Sequence, residues 1–262
     1  MSGLDLAALL AVARRAADAG GDTVRAGFGA VHAASAKAPG DWVSDVDTNS
    51  ERLVRAALLD GAPGIPVHGE EEGGARAAVE WLVDPLDGTS NFLHAFPMVG
   101  VSIALVADGA PVVGVVHAPM LGDTYWATAG GGAWRNGMPL RVSTRAVDQA
   151  ICATGFPFRN KRERLEEYFP VFERALRTFE DLRRAGSASL DLAWTSSGVF
   201  DGYFEQALGP WDVAAGALLV REAGGVVTDW RGDSQDWLDS GNIVAAPRAI
   251  QECILELIGT ST

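Results

Sequence analysis

The sequence predicts layered helices and sheets, α+β or α/β, and three observations carry that expectation. Helical periodicity comes first, a run of strand-like segments follows, and helices and strands then alternate towards the C-terminus. With 48% hydrophobic residues among 262, the chain can bury a sizeable core as one unit or two intimate halves. No internal repeat and no linker rich in Pro, Ser or charge divides it.

Residues 4–27 place Leu6, Leu9, Leu10, Ala13 and Ala17 at helical spacing. Thr48-Asn49-Ser50-Glu51 fits a capping box that opens a second helix, with Leu53, Val54, Ala57 and Leu58 on one face. Ile65 to His68 reads as a strand ending at Gly69-Glu70. Glu80-Trp81-Leu82-Val83 is a short apolar run that delivers Asp84. Val99–Ala107, Val112–His117 and Thr124–Thr128 read as strands, and Asn136-Gly137 signals a hairpin. Ile151–Thr154 reads as a buried strand, and Glu163–Phe179 as a helix interrupted at Pro170. Ser187–Gly198 is helical and Tyr203-Phe204-Glu205 a short strand. A helix from Pro210 or Trp211 stops at Gly224-Gly225. Strands at Val226–Thr228 and Ile243–Ala245 precede a last helix with Ile254, Leu255 and Leu257.

Composition excludes several function classes. The net charge of −13 argues against nucleic-acid binding, which needs surplus Lys and Arg. No apolar run is long enough for a transmembrane helix, so no membrane partner is expected. Met1-Ser2-Gly3-Leu4-Asp5 does not resemble a secretory signal, and Cys152 and Cys253 lie far apart, which fits a reducing cytoplasm. His32, His68, His94 and His117 lack the spacing of a zinc site.

Chemistry concentrates at Asp84-Pro85-Leu86-Asp87-Gly88-Thr89-Ser90-Asn91. Asp84 stands at the carboxyl end of a buried strand, and a tight turn can bring Asp87 to the same point. The Leu86 carbonyl between them is a third hard oxygen donor. Gly88 permits close backbone approach, and Thr89, Ser90 and Asn91 offer donors to an anion. This donor set suits Mg²⁺ or Mn²⁺ better than zinc. Asp-Pro-x-Asp-Gly taken alone reads equally well as a turn. Asp212 near its helix start, and Asp47 likewise, read alone as helix-terminal charges. Glu70, Asp84, Asp87 and Asp212 gathered without Lys or Arg among them would repel and would need cations.

Gly69-Glu70-Glu71, Asp84 through Phe92, Arg183-Arg184 with Gly186-Ser187-Ala188, Tyr203-Phe204-Glu205, and Trp211-Asp212-Val213-Ala214 with Glu222-Ala223-Gly224-Gly225 together resemble the signatures of the inositol monophosphatases, bacterial members above all. The resemblance runs from the first helix to Ala246. It implies an α+β fold, the layered α-β-α-β-α sandwich shared with fructose-1,6-bisphosphatase, usually as a homodimer. It implies one phosphatase unit over residues 1–262, with a metal and phosphate half (1–145) and a substrate-facing half (146–262). Glu70, Asp84 and the Leu86 carbonyl would bind one Mg²⁺, Asp84, Asp87 and Asp212 a second, and Glu70 would help hold a third, weaker ion. Mn²⁺ would substitute. Thr89 with Asp47 would position the attacking water, and Glu70 is a further candidate base. Gly88 and Thr89 would bind phosphate. Glu205 with Gly186, Ser187 and Ala188 would face the alcohol of a small phosphomonoester.

The implied reaction is Mg²⁺-dependent hydrolysis of inositol monophosphate by metal-activated water, sensitive to lithium. Fructose 1,6-bisphosphate, histidinol phosphate or a 3'-phosphoadenosine nucleotide are alternative substrates, and a non-enzymatic regulatory protein on the same fold is the alternative of another class. Ser90 stands where the family usually carries Thr, and Gly209 where bacterial relatives often carry Arg, which bears on substrate choice.

Overall fold

The computed structural model describes residues 3–30, 33–38, 41–157 and 161–259. Met1, Ser2 and His32 lie outside the described residues. Helix α1 (Leu6–Gly27) is capped by Asp5, which accepts the Ala8 amide at 3.0 Å. Its buried stripe is built of small residues, including Ala13, Ala16, Ala17, Gly20 and Gly21. A hairpin of β1 (Ala34–Ala38) and β2 (Asp41–Ser44) follows. It was not expected, because its sequence, Ala-Ser-Ala-Lys-Ala and Asp-Trp-Val-Ser, has too little apolar alternation to read as strand.

Helix α2 (Asp45–Gly61) begins earlier than expected. Its capping box is Ser44 with Asp47, not Thr48 with Glu51. The Ser44 hydroxyl receives the Val46 and Asp47 amides, and Asp47 returns a bond to the Ser44 amide at 2.8 Å. Both segments fit the same pattern of hydroxyl and acid three apart, so pattern alone could not choose between them.

The larger sheet contains β3 (Val67–Gly69), β4 (Val79–Asp87), β5 (Gly100–Ala107), β6 (Ala110–Ala118), β7 (Asp123–Thr128), β8 (Ala133–Arg135) and β9 (Met138–Pro139), hydrogen-bonded in that order. Only β3 and β4 run parallel. A short helix, α3 (Thr89–Leu93), lies between β4 and β5. The β8–β9 turn sits at Asn136-Gly137, both with positive φ, as expected for that dipeptide.

The second half supplies β10 (Ile151–Thr154), α4 (Lys161–Thr178), β11 (Asp181–Arg183), α5 (Ala188–Ser196), β12 (Gly202–Glu205), α6 (Pro210–Glu222), β13 (Val226–Thr228), α7 (Trp237–Ser240), β14 (Ile243–Ala246) and α8 (Arg248–Gly259). Its five strands pair in the order β11-β10-β12-β14-β13. Helix α4 runs unbroken through Pro170, against expectation. Proline removes one helix bond, but Pro170 and Glu166, whose carbonyl loses its partner, are both exposed to water. Tyr168, Val171 and Ala175 are buried and hold the helix to the sheet.

Three cores define the layers. One lies between α1, α2 and the larger sheet; the second surrounds α5 and α6 between the sheets; the third lies between the smaller sheet and α4 with α8. This is the α-β-α-β-α sandwich. The middle helices explain themselves by composition. From Val213 to Val220 every residue of α6 is buried, as a helix apolar on all sides must be.

Candidate metal and phosphate site

The site forms where β4 breaks its register. Asp84 pairs with Ser102 and Asp87 with Gly100, so three steps along β4 oppose two along β5. In a regular strand, residues three apart face opposite sides. The extra residue at Pro85-Leu86 turns both carboxylates into one cleft. Pro85 has no N–H to give the ladder, which favours the bulge there.

The cleft is lined by Glu70, Asp84, Leu86, Asp87, Gly88, Thr89, Ser90, Gly186, Ser187, Ala188, Glu205 and Asp212, all named by the sequence reading. Glu70 follows β3, and Asp212 sits in the first turn of α6, where its Oδ2 accepts the Gly209 amide at 2.7 Å. Glu70, Asp84 and Asp212 each offer an oxygen within 4.8 Å of the others. Asp87 is not in that trio. Its Oδ2 accepts from Ser187 Oγ (2.8 Å), Ser189 N (2.7 Å) and Ser189 Oγ (2.6 Å), which fix it at the wall beside α5. Asp84 accepts the Leu86 amide at 3.0 Å.

Thr89 and Asp47 meet across 42 positions of sequence. Thr89 Oγ1 donates to Asp47 Oδ1 at 2.7 Å and lies 3.3 Å from the Leu86 carbonyl. Asp47 thus caps α2 with one oxygen and holds Thr89 with the other. Gly88 has φ +97°, and a Cβ there would press on the Met98 carbonyl at 3.0 Å.

Residues 5–262 match the sequence profile of the Inositol monophosphatase family. The chain belongs to that family. A putative Nus factor SuhB of Neisseria meningitidis serogroup B is 43% identical over 226 residues, covering 85% of this chain and 86% of that protein. An inositol-1-monophosphatase of Mesorhizobium japonicum is 40% identical over 258 residues, 96% of each chain. Among solved structures, the extragenic suppressor protein suhB of Bartonella henselae superposes with a TM-score of 0.91 at 35% identity, covering 96% of this chain and 98% of that one.

The electrostatics of the family site follow from its packing. Burial, then the charges of Glu70, Asp87 and Asp212, push the Asp84 carboxyl well above its ordinary pKa. Burial raises Asp87 too, against the Ser189 and Ser187 bonds that lower it. Asp47 is raised by burial, opposed by its bonds from Ser44 and Thr89. Two unit charges about 5 Å apart repel by roughly 3 kcal/mol at an effective dielectric of 20. Three such pairs exceed what the Leu86 and Gly209 amides return to Asp84 and Asp212. The trio therefore fits a bound cation.

One expectation is corrected here. The carboxylates are not free of basic neighbours, for Lys37 Nζ on β1 lies 3.1 Å from Glu70 Oε1 and 2.7 Å from Glu71 Oε1. Burial lowers the Lys37 pKa, but the charge of Glu70 and the bond to Glu71 outweigh it, so the ammonium is stabilised. Glu71 itself is raised to about 7, by burial first. Asn91 is also not available to an anion. Its Nδ2 donates to the carbonyls of Met98 (2.7 Å), Ala185 (2.9 Å) and Gly186 (3.3 Å), tying α3 to the loop before α5.

Sequence reasoning missed Ser189, which is fully buried and orients Asp87. The alternating hydroxyls in Ser187-Ala188-Ser189 were its only signal. It also missed Glu51. That carboxylate receives the Glu71 amide at 2.8 Å and the Glu72 amide at 3.1 Å, and so shapes the turn carrying Glu70. Trp42, Gly155, Arg184 and Leu208 complete the cleft wall.

Proposed function

We propose that this chain hydrolyses inositol monophosphate to inositol and phosphate with Mg²⁺ as cofactor. The observation that carries the reading is the trio of buried Asp84 and Asp212 with half-buried Glu70, beside the Thr89–Asp47 pair. The name of the Mesorhizobium japonicum relative supports the substrate. All-oxygen donors suit Mg²⁺, with Mn²⁺ as a substitute. Glu70, Asp84, Asp87, Asp212 and the Leu86 carbonyl would hold two or three ions. When bound, they neutralise phosphoryl oxygens and lower the pKa of water.

The chain's own groups do the rest. Thr89 Oγ1, fixed by Asp47, orients a water towards phosphorus. Asp47, whose burial raises its proton affinity, accepts the proton, with Glu70 as the other candidate. The Gly88 and Thr89 amides donate to phosphate oxygens. Gly186, Ser187, Ala188 and Glu205 face the alcohol. Cys152 is buried on β10, so thiol attack finds no support. Attack is in line, with one inversion at phosphorus. Residues 1–145 supply the phosphate side and every metal donor but Asp212, and 146–262 supply Asp212 and the alcohol side, of one homodimeric, cytoplasmic and lithium-sensitive enzyme. Among the described residues no helix is long and apolar enough to cross a membrane.

Phosphate release should be followed from inositol monophosphate, fructose 1,6-bisphosphate, histidinol phosphate and a 3'-phosphoadenosine nucleotide. The expected result is highest kcat/KM for inositol monophosphate, loss with chelator and recovery with Mg²⁺. Full turnover in excess EDTA would sink the metal reading. Preference for another ester would move the substrate without touching the site.

A second reading has one observation behind it, the Nus factor name of the 43%-identical relative. A non-enzymatic role through surface contacts would survive Asp84→Asn, whereas one that depends on turnover would not.

A further inference from the structure

On the alcohol side of the cleft, the Tyr203-Phe204-Glu205 segment holds a device that the order of its residues does not announce. Glu205 ends β12 and lines the cleft. Three features fix it. The Tyr203 hydroxyl donates to Glu205 Oε2 at 2.5 Å. The Trp230 indole donates to the Glu205 carbonyl at 2.9 Å and pins the backbone. Gly155, across the cleft wall, has no side chain where the carboxylate lies. A Cβ on Gly155 would stand 1.9–2.0 Å from Glu205 Cδ, Oε1 and Oε2.

Tyr203 is fully buried, with its ring in the middle core. Two residues apart on one strand, Tyr203 and Glu205 share a face of the sheet, so the phenol reaches the carboxylate without leaving the core. A buried phenol needs a partner, and a bond from it to a carboxylate is charge-assisted and strongly directional. The interior side chain that could have been phenylalanine therefore sets the position of a cleft carboxylate.

We propose that Tyr203 is a positioning residue for substrate recognition, with Gly155 as the gap that makes its geometry possible, and that together they select phosphate esters of hydroxyl-bearing alcohols. The proposal rests on the phosphatase reading above. An aligned carboxylate accepts hydrogen bonds, so the alcohol it recognises must carry a donor. A polyol such as inositol does; the aryl group of p-nitrophenyl phosphate does not.

Steady-state kinetics with Mg²⁺ on inositol monophosphate and p-nitrophenyl phosphate tests this in wild type, Tyr203→Phe and Gly155→Ala. Tyr203→Phe keeps the ring and hence the packing. It should lower the ratio of kcat/KM for inositol monophosphate to that for p-nitrophenyl phosphate about tenfold, the scale of a hydrogen bond to a charged group. The change should lie in KM rather than kcat. Gly155→Ala should lower the same ratio further, because it displaces the carboxylate outright. Equal losses on both substrates, or an unchanged ratio in both variants, overturn the proposal. Wild-type protein that cleaves p-nitrophenyl phosphate without preferring the polyol ester overturns the substrate class. Wild-type protein that cleaves neither overturns the phosphatase reading itself, and the proposal falls with it.

Discussion

Two groups of buried carboxylates in this molecule have the same burial and opposite surroundings. Glu51 and Asp201 are fully buried, and each is satisfied. Glu51 meets the Arg55 guanidinium at 2.7 Å and two amides. Asp201 meets Arg145 at 2.8 Å and the Ile151 amide at 2.7 Å. Asp84 is buried as deeply, yet among the described residues it accepts only the Leu86 amide and faces other acids. Burial therefore does not mark a functional carboxylate. On the proposed reading, what marks Asp84 is burial without compensation where it faces the cleft, so that a bound cation would relieve the cost.

The largest expected effect is at Asp84. Asp84→Asn should reduce Mg²⁺-dependent turnover to background, while the thermal midpoint in EDTA stays level or rises, because repulsion is relieved. A midpoint that falls steeply would place Asp84 with the structural group. Glu51→Gln should do the reverse. It leaves Arg55 facing a neutral partner, and breaking a buried pair costs about 3 kcal/mol. Denaturant unfolding should record that loss; a variant as stable as wild type would break the comparison from the other side.

Thr89→Ala removes the hydroxyl between Asp47 and the cleft. It should lower kcat by about 10²-fold, with little change in the unfolding midpoint because Asp47 keeps its Ser44 bonds. Activity within a few-fold of wild type would remove the pair from the reaction.

The smallest effect concerns Asp191 on α5. It is almost fully buried, and among the described residues its Oδ1 has no hydrogen-bond partner. Burial, then the charges of Glu205 and Asp87, raise its pKa well above the ordinary value. A carboxyl whose folded pKa is raised contributes stability that is present below the unfolded pKa, near 4, and is lost as pH rises towards the folded one. Asp191→Asn removes that loss. The variant should melt higher than wild type at pH 8, with the advantage shrinking towards pH 4. A constant offset across that range would assign the change to packing instead.

Much of this was legible in the sequence because it is local. The strand into Asp84, the turn to Gly88 and the helix opening before Asp212 follow from nearest-neighbour chemistry. The Pro85 bulge was not legible, since a register shift exists only against a partner strand. Lys37 and Ser189 were missed for a related reason. Lys37 reaches Glu70 across 33 positions and Ser189 reaches Asp87 across 102, and neither distance leaves a periodic trace. Pro170 was misjudged because propensity ignores the packing that overrides it. The choice between two capping boxes was not legible either, since the contact that holds Asp47's other oxygen comes from Thr89, 42 residues away.

Helix α6 has a consequence for how the molecule comes together. It is the slab on which both sheets rest, and Asp212 stands in its first turn. Neither sheet can complete its inner face until this helix is seated, so Glu70, Asp84 and Asp212 cannot come together in a half-folded chain. On the proposed metal reading, cation affinity would be linked to the seating of this helix between the two sheets. An ion that drew in Asp212 would also tighten the seam between the sheets, and cutting the connection between β9 and β10 should leave two fragments that reassemble more readily with Mg²⁺ than without it.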